Sequence, residues 1–282
     1  MHFFDTSFCS MYDNSIKRDS SGKNLSEEVF MAIIETRELT KIYTPGRGKK
    51  VIGLNKVNLE IEEGEIFGIL GPNGSGKTTC LKLLLGILFP TDGEISIMGE
   101  SQFDVRVKKY IGFLPENPYY YDYLTGPELL YFYGKLFDMD KQAIKERTEY
   151  LLNLVKLSDA KKLTLKHYSK GMLERIGLAS ALLNDPKILI LDEPTTGLDP
   201  IGCLETRDLI LELNKQGKTI LLSSHFLSEV ERVCNRIAIF HRGNLLATGT
   251  LDGLISRYNA ETLEELFVKT IEDFDSRYKR EI

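Results

Sequence analysis

The octapeptide GPNGSGKT, residues 71–78, constrains the fold of this 282-residue chain more than any other stretch. It fits the pattern G-x-x-x-x-G-K-[ST] and lies between a predicted strand, EIFGIL, and a predicted helix, TTCLKLLLGIL. In this setting the loop backbone points its N–H groups at nucleotide phosphates, Lys77 reaches the β and γ phosphates, and Thr78 offers a hydroxyl to Mg²⁺. A chance glycine-rich turn is the alternative, and the register of strand, loop and helix argues against it.

Two carboxylates follow a second buried strand. The apolar run in ILILDE, residues 188–193, is typical of a parallel strand covered on both faces, and it ends in Asp192 and Glu193. We expect this strand end beside the phosphate loop, with Asp192 organising Mg²⁺ and Glu193 polarising an attacking water. A solvated Asp-Glu pair is the alternative. His225, after the strand TILLSS, could contact a γ-phosphate, although taken alone it reads better as a loop-edge histidine.

Strand and helix patterns alternate along the chain and predict an α/β fold with a mostly parallel sheet. The phosphate loop opens a helix that we expect to run through Leu88, before Pro90 stops it. Residues 117–184 show helical spacing and are interpreted as an inserted helical subdomain. The predicted organisation is an extension over 1–30, one composite domain over 31–270 and a charged tail over 271–282.

Charge and cysteine content narrow the function classes. A net charge of −5 gives no electrostatic reason to expect nucleic acid as a partner. The cysteines lack metal-ligand spacing and indicate a reducing, cytoplasmic setting; they are Cys9, Cys80, Cys203 and Cys234. The apolar run LKLLLGILF is far shorter than the roughly 20 residues that a helix needs to cross a bilayer. A role at a membrane would therefore require a partner.

The first thirty residues show neither strand nor helix periodicity, and they lack the apolar core of a signal peptide. We expect this segment to be disordered. A strand-like run opens at Met31, and one hypothesis is that Met31 is the true start of the protein.

Five motifs occur in a fixed order: GPNGSGKTT, YSKGM, LILDEP, GLDP and SSH. Together they resemble the ATP-binding subunit of an ABC transporter over about residues 33–269. The resemblance implies a P-loop NTPase core, an antiparallel β-subdomain near the N-terminus, a helical subdomain and a head-to-tail dimer that sandwiches two ATP. It also implies ATP and Mg²⁺ as cofactors and membrane-spanning permease subunits as partners, with the dimer either homomeric or heteromeric.

The same resemblance implies the roles of individual residues. ATP would be bound by Tyr43, Gly71, Pro72, Asn73, Gly74, Ser75, Gly76, Lys77, Thr78 and Thr79. Tyr43 would stack on adenine, although a strand aromatic packed on the core is an equally open reading. Lys77, Glu193 and His225 would carry hydrolysis. Asp199 would lie in a loop that crosses the dimer interface, and Glu116 stands where the family usually has a glutamine that reaches Mg²⁺ and water.

The turn YSKGM matches the family signature usually written LSGGQ. Ser169 and Gly171 are kept, whereas Lys170 replaces a glycine and Met172 replaces the glutamine. The resemblance implies that this helix start points its free N–H groups at the γ-phosphate bound by the partner subunit. Lys170 either adds a positive charge near that anion or lies in solvent.

The segment NPYYYDYLTGPELLYFYGKLF is unusually rich in aromatic residues, namely Tyr119, Tyr120, Tyr121, Tyr123, Tyr131, Phe132 and Tyr133. One reading is that some of them form a protein-binding surface, because aromatic anchors dominate such surfaces. In the family this region meets the coupling helices of the membrane subunits. The other reading is a packed helical core with the hydroxyls facing water.

The predicted function is ATP hydrolysis that powers transport. GLDP, LPENP and a short C-terminal helix, LEELFVKT, resemble the bacterial exporter branch, which implies efflux of drugs, antibiotics, lipids or polysaccharide across the cytoplasmic membrane. The chain would then lie on the inner face of the membrane through its permease. A soluble ABC-type ATPase acting on ribosomes or DNA is the alternative, and a non-ATPase scaffold is disfavoured by the retained Glu193 and His225.

Overall fold

The computed structural model describes residues 32–46 and 48–281, and for 279–281 only the backbone. The predictions about the N-terminal extension, Met31 and Cys9 lie outside the described residues. In chain order the elements are β1 (Ala32–Tyr43), β2 (Val51–Glu62), β3 (Ile66–Leu70), α1 (Lys77–Leu84), β4 (Asp92–Ile97), β5 (Glu100–Ser101), α2 (Val105–Lys108), β6 (Ile111–Leu114), α3 (Gly126–Leu136), α4 (Lys141–Leu154), α5 (Lys170–Ala181), β7 (Ile188–Asp192), α6 (Pro200–Lys215), β8 (Thr219–Ser224), α7 (Leu227–Val233), β9 (Arg236–His241), β10 (Asn244–Thr250), α8 (Leu251–Arg257) and α9 (Leu263–Glu281).

The predicted antiparallel sheet near the N-terminus is confirmed. Its strands run in the order β2-β1-β4-β5, and each neighbouring pair is antiparallel. In β2 the buried residues Leu54, Val57, Leu59 and Ile61 alternate with more exposed ones over most of the strand. This period of two is what a sheet with one covered face requires.

The predicted parallel core is also confirmed. A six-stranded sheet has the order β10-β9-β3-β8-β7-β6, in which only β10 is antiparallel to its neighbour. Every residue of β3, β7 and β8 is buried. Alternate residues of β3 enter different hydrophobic clusters, Ile66 and Leu70 on one side and Phe67 and Ile69 on the other. The sheet is therefore covered on both faces, and its carboxyl edge collects the loops after β3, β7 and β8.

Helix α1 is shorter than the sequence predicted. It ends at Leu84, not Leu88, because Gly86 takes a left-handed φ of 66° and closes the last turn. The N–H groups of Gly86 and Leu88 then donate to the carbonyls of Leu83 and Lys82. A glycine in this conformation ends a helix without steric cost.

Helices α3, α4 and α5 all lie between β6 and β7 in the chain, where the sequence predicted helical structure. Helix α9 is longer than LEELFVKT, since it continues through 271–281. Within the described part of the chain, no helix is both long enough and apolar enough to cross a membrane. Cys80, Cys203 and Cys234 are free thiols, and complete burial raises the pKa of Cys80 to about 12.

Candidate functional site

The phosphate loop joins the buried strand β3 to helix α1 through tight backbone turns. Gly76, at the N-cap of α1, has a φ of 113°, which disfavours any residue that carries a Cβ. A Cβ at Gly76 would lie 2.7 Å from the carbonyl oxygen of Gly53, and one at Gly71 would collide with Ser75 Oγ. The Ser75 hydroxyl itself is buried without a hydrogen-bond partner among the described residues. The loop backbone is thus closely packed, and it leads directly into the N-terminus of helix α1.

Lys77 and Glu193 form a buried ion pair at the base of this loop. The Lys77 ammonium lies 3.3 Å from Glu193 Oε1 and donates to the Gly71 carbonyl at 2.8 Å. Both charged side chains are only 6% exposed. A buried charge needs a partner of opposite charge, and each of these two groups is that partner for the other.

The second carboxylate oxygen of Glu193 contacts His225. His225 Nδ1 lies 2.7 Å from Glu193 Oε2, and the His225 backbone N–H also approaches this oxygen. The Thr196 hydroxyl donates to it at 3.4 Å. Glu193 has a φ of 54°, uncommon for a residue with a side chain, and such backbone conformations cluster at functional sites. The structure therefore brings together the three residues that the resemblance implies for hydrolysis.

Asp192 is fixed by a residue that the sequence reasoning did not single out. The Ser223 hydroxyl donates to Asp192 Oδ1 at 2.6 Å and accepts from the Glu193 backbone N–H at 3.0 Å. Asp192 is buried at the end of β7, paired in register with Ser223 of β8. The SSH motif contains this serine, and its position two residues before His225 was the available signal.

The oxygen donors near the loop suit Mg²⁺. This ion is usually held by one or two carboxylates together with water and substrate phosphates, not by an all-protein cage. Asp192 supplies one carboxylate and Thr78 one hydroxyl, and no cluster of three or more His, Cys, Asp or Glu able to hold a metal occurs in the described residues. Glu116 lies exposed on the loop after β6, and the described residues form no ion pair with it.

Tyr43 packs beside the same helix. Its hydroxyl is 3.2 Å from the Thr79 hydroxyl, and its ring covers Gly53 so closely that a Cβ there would lie 2.5 Å from a ring carbon. The Lys41 ammonium lies 5.5 Å from the ring centroid. The half-buried ring is therefore packed against the antiparallel sheet and, through Thr79, reaches the helix that starts at the phosphate loop.

The YSKGM turn begins helix α5 and contacts the GLDP loop of the same chain. Ser169 is the N-cap of α5, and its hydroxyl accepts from the Met172 N–H at 3.3 Å. The Lys170 side chain lies over Gly197, and a Cβ at Gly171 would contact the Leu198 side chain at 3.5 Å. Lys170 is thus exposed and lies against the GLDP loop of its own chain.

Asp199 ends the GLDP loop as the N-cap of α6, and its carboxylate accepts from the Gly202 N–H at 2.7 Å. Ser169, Lys170 and Asp199 are all exposed. Within residues 48–281, no hydrogen bond or ion pair joins these residues to Lys77 or Glu193. The signature turn therefore makes no direct polar contact with Lys77 or Glu193 of its own chain.

Glu174, one turn into α5, is a buried carboxyl group that the sequence reasoning missed. It is 6% exposed, and burial raises its pKa to about 7, against the opposing effect of the Lys170 charge. Because burial raises this pKa, the protonation state of Glu174 changes near neutral pH, one turn after the signature turn. Glu174 is the only acidic residue in KGMLERIGLASA, and its neighbour Arg175 gives the sequence no clear sign that it is buried.

Comparisons with known proteins bear on the family and on the fold. A family model described as ABC transporter matches residues 54–196. The chain is 47% identical to an uncharacterised ABC transporter ATP-binding protein of Nostoc sp. (strain PCC 7120), over 81% of this chain and 69% of that protein. It is 42% identical to the bacitracin transport ATP-binding protein BcrA of Bacillus licheniformis, over 82% of this chain and 74% of that protein. It is also 47% identical to an uncharacterised ABC transporter ATP-binding protein of Synechocystis sp., of whose length it spans 63%.

A solved structure gives the same result for the fold. The chain superposes with a TM-score of 0.71 on a dimeric ATP-binding cassette in a post-hydrolysis state bound to ADP and Pi, at 27% identity. The match covers 77% of this chain and 98% of the other.

Proposed function

From the premise that this chain belongs to the ABC transporter family of ATP-binding subunits and hydrolyses ATP, we propose that its ATPase cycle drives efflux through a separate membrane-spanning permease. The cluster of Lys77, Glu193 and His225 beside the phosphate loop carries the hydrolytic part of this proposal. The likeness to a bacitracin transport protein favours an antibiotic over a drug, a lipid or polysaccharide as cargo.

We propose that hydrolysis depends on a change in the anion that Lys77 contacts. When ATP enters, its phosphates replace Glu193 as the anion that the Lys77 ammonium contacts. Glu193 Oε1 is then released to accept a proton from the attacking water, while His225 and Thr196 still hold Oε2. Lys77 meanwhile balances the negative charge that develops on the transferred phosphoryl group.

Mg²⁺, when bound, supplies further positive charge against the phosphate oxygens. We propose Thr78 and Asp192 as its protein ligands. Ser223 keeps the Asp192 carboxylate in one orientation, which suits a metal ligand. We propose Glu116, exposed on the loop after β6, as a contact through water. The remaining loop residues other than Pro72, which has no backbone N–H, would bind the phosphates through their backbone N–H groups, and Tyr43 would lie at the adenine.

We propose that the working unit is a dimer of ATP-binding subunits, either of two copies of this chain or of this chain and a related one. Ser169, Lys170, Gly171 and Met172 would complete the ATP site of the partner. The exposure of Ser169 and Lys170 supports this assignment. Asp199, exposed at the start of α6, would lie at the interface.

We propose that part of the aromatic segment contacts the permease. The aromatic residues divide into two groups, because Tyr120 packs its hydroxyl against Gly177 while Tyr119 is 97% exposed. Tyr121, Tyr123, Tyr131 and Phe132 are exposed as well. Exposed aromatics on one segment favour a protein-binding surface. The chain would then lie on the inner face of the cytoplasmic membrane through this contact.

The domain division also stands as a proposal, with an ATP-binding domain over 31–270 and a helical part over about 117–184. Helix α9 runs without a break across residue 270. This continuity favours a C-terminal boundary beyond the one that the sequence indicated.

Membrane fractionation of the native host tests the proposed function. We expect the chain to sediment with membranes, together with a protein that has several membrane-spanning helices. Deletion of the gene for this chain should make the host more sensitive to a peptide antibiotic such as bacitracin. Double replacement of Tyr119 and Tyr123 by alanine should release the chain from membranes while the isolated subunit still hydrolyses ATP. Sedimentation with ribosomes or the nucleoid would overturn the proposal in favour of a soluble ABC-type ATPase.

A further inference from the structure

The hairpin between β9 and β10 lies behind the phosphate loop. Its tip, residues 240–243, turns through Arg242 and Gly243, whose φ angles are 47° and 78°. Two positive φ angles are what a two-residue hairpin turn of type I′ requires. The Gly243 N–H donates to the Ser75 carbonyl of the phosphate loop at 2.8 Å, and the Gly243 carbonyl accepts from the Asn55 N–H at 2.8 Å. The hairpin tip is therefore hydrogen-bonded to the loop.

The hairpin tip also contacts both ends of the loop. A Cβ on Gly71, where the loop begins, would collide with the Phe240 carbonyl oxygen. A Cβ on Gly76, where the loop ends, would lie 3.4 Å from Gly243 Cα. Since interiors this close-packed transmit displacements, a shift of the hairpin tip would move the backbone that carries the phosphate-binding N–H groups.

The opposite side of the hairpin tip is held by helix α9. The Asp275 carboxylate lies 3.1 Å from His241 Nε2 and 3.4 Å from an Arg242 guanidinium nitrogen. The His241 and Asp275 side chains are 13% and 30% exposed, so this contact is largely shielded from water. Phe274 packs edge-on against the His241 ring at 5.6 Å, and the Arg242 guanidinium lies 5.4 Å from the Tyr278 ring centroid.

These contacts hold an unfavourable backbone conformation in place. A left-handed φ at a residue with a side chain, such as Arg242, persists only where the surroundings impose it. We propose that Asp275 is a positioning residue for the ATP site: through His241 and Arg242 it fixes the hairpin tip, and the hairpin tip fixes the phosphate loop. This inference rests on the proposed use of residues 71–79 as the nucleotide site.

The test compares two carboxylates on α9 in the full-length chain. Asp275→Asn removes the charge that contacts the hairpin tip. Asp273→Asn is the matched control, because Asp273 pairs with Arg277 on the same helix. We expect Asp275→Asn to raise the Kd and the KM for MgATP about three- to tenfold while kcat changes less than twofold. A loss of folded protein would lower kcat and leave KM unchanged, so the split between the two constants identifies positioning.

A second variant changes the hairpin side of the contact between His241 and Asp275. His241→Gln should raise the Kd for MgATP by a similar factor, and the double variant with Asp275→Asn should show no further rise, because both changes break one contact. A wild-type Kd in Asp275→Asn, or an equal rise in Asp273→Asn, would overturn the proposal. If Asp275→Asn does not fold, a wild-type Kd in His241→Gln overturns it equally. Failure of the wild-type chain to bind MgATP would instead refute the nucleotide site.

Discussion

Replacement of Glu193 by glutamine separates hydrolysis from binding, because each oxygen of this carboxylate has its own partner. Oε1 lies 3.3 Å from Lys77 Nζ and Oε2 lies 2.7 Å from His225 Nδ1. Glutamine keeps the size of the side chain, but it cannot accept a proton from water. We expect Glu193→Gln to slow ATP hydrolysis about 10²- to 10⁴-fold, the usual contribution of a general base, while ATP still binds.

The same substitution should destabilise the nucleotide-free protein. It leaves the Lys77 ammonium, 6% exposed, with the Gly71 carbonyl as its remaining close acceptor. Removing one partner of a buried ion pair costs about 3–5 kcal/mol, and the amide oxygen of glutamine keeps the cost near the lower limit. A loss of about 3 kcal/mol corresponds to a fall in Tm of about 6–12 °C for a chain of this size.

ATP should restore more stability to this variant than to the wild type, since the phosphates give Lys77 a new anionic partner. The assay is thermal unfolding with and without MgATP, together with phosphate release. Asp273→Asn is the control, because it removes an equal charge from an exposed pair with Arg277 on α9 and should leave both Tm and hydrolysis unchanged.

Two results would refute this reasoning separately. Wild-type hydrolysis in Glu193→Gln would exclude Glu193 as the base. A wild-type Tm, with a rise on adding MgATP equal to that of the wild type, would show that Lys77 does not exchange Glu193 for phosphate.

Other substitutions test other parts of the site. Lys77→Ala should weaken ATP binding itself in a titration, and undiminished affinity would count against the phosphate-loop assignment. Ser169→Ala should impair ATP-dependent dimer formation, measured by size-exclusion chromatography, more than it weakens the binding of ATP to the chain itself. Thr125→Ala is the control, because it also removes a helix N-cap, that of α3, which is worth about 1 kcal/mol. Burial raises the pKa of Glu174 from 4.5 to about 7, so the folded state binds the proton more tightly and the free energy of unfolding should fall as pH rises through this window. Glu174→Gln should remove that slope and exceed the wild type in stability by up to about 3 kcal/mol at pH 8, as measured by urea unfolding. An unchanged slope would assign the pH dependence to another group.

The parts of the site that are local in sequence were predictable. GPNGSGKT carries its own glycines, lysine and threonine, and its flanking strand and helix are readable from apolar patterns. The end of α1 was less predictable, because Pro90 marked a stop while Gly86 ended the helix four residues earlier than expected. Both residues can end a helix, and the sequence does not show which one takes the left-handed turn.

Contacts between distant segments could not be read from the chain. Ser223 and Asp192 are 31 residues apart, and Asp275 and His241 are 34 apart. Spacing alone gives no reason to pair them, whereas the parallel register of β7 and β8 places Ser223 opposite Asp192. Glu174 belongs to the same class, since its raised pKa depends on burial that only packing provides.

The sequence by itself determined the family, the α/β fold and the chemical types at the ATP site, because these depend on short patterns of glycine, apolar and charged residues. The tertiary structure decided which of these groups touch. It paired Lys77 with Glu193 inside the protein, left Glu116 exposed on its loop, laid Lys170 over Gly197, and connected α9 to the phosphate loop through the tip of one hairpin. Burial and distance set the strength of each charge interaction, and both arise only when strands from separate parts of the chain lie side by side.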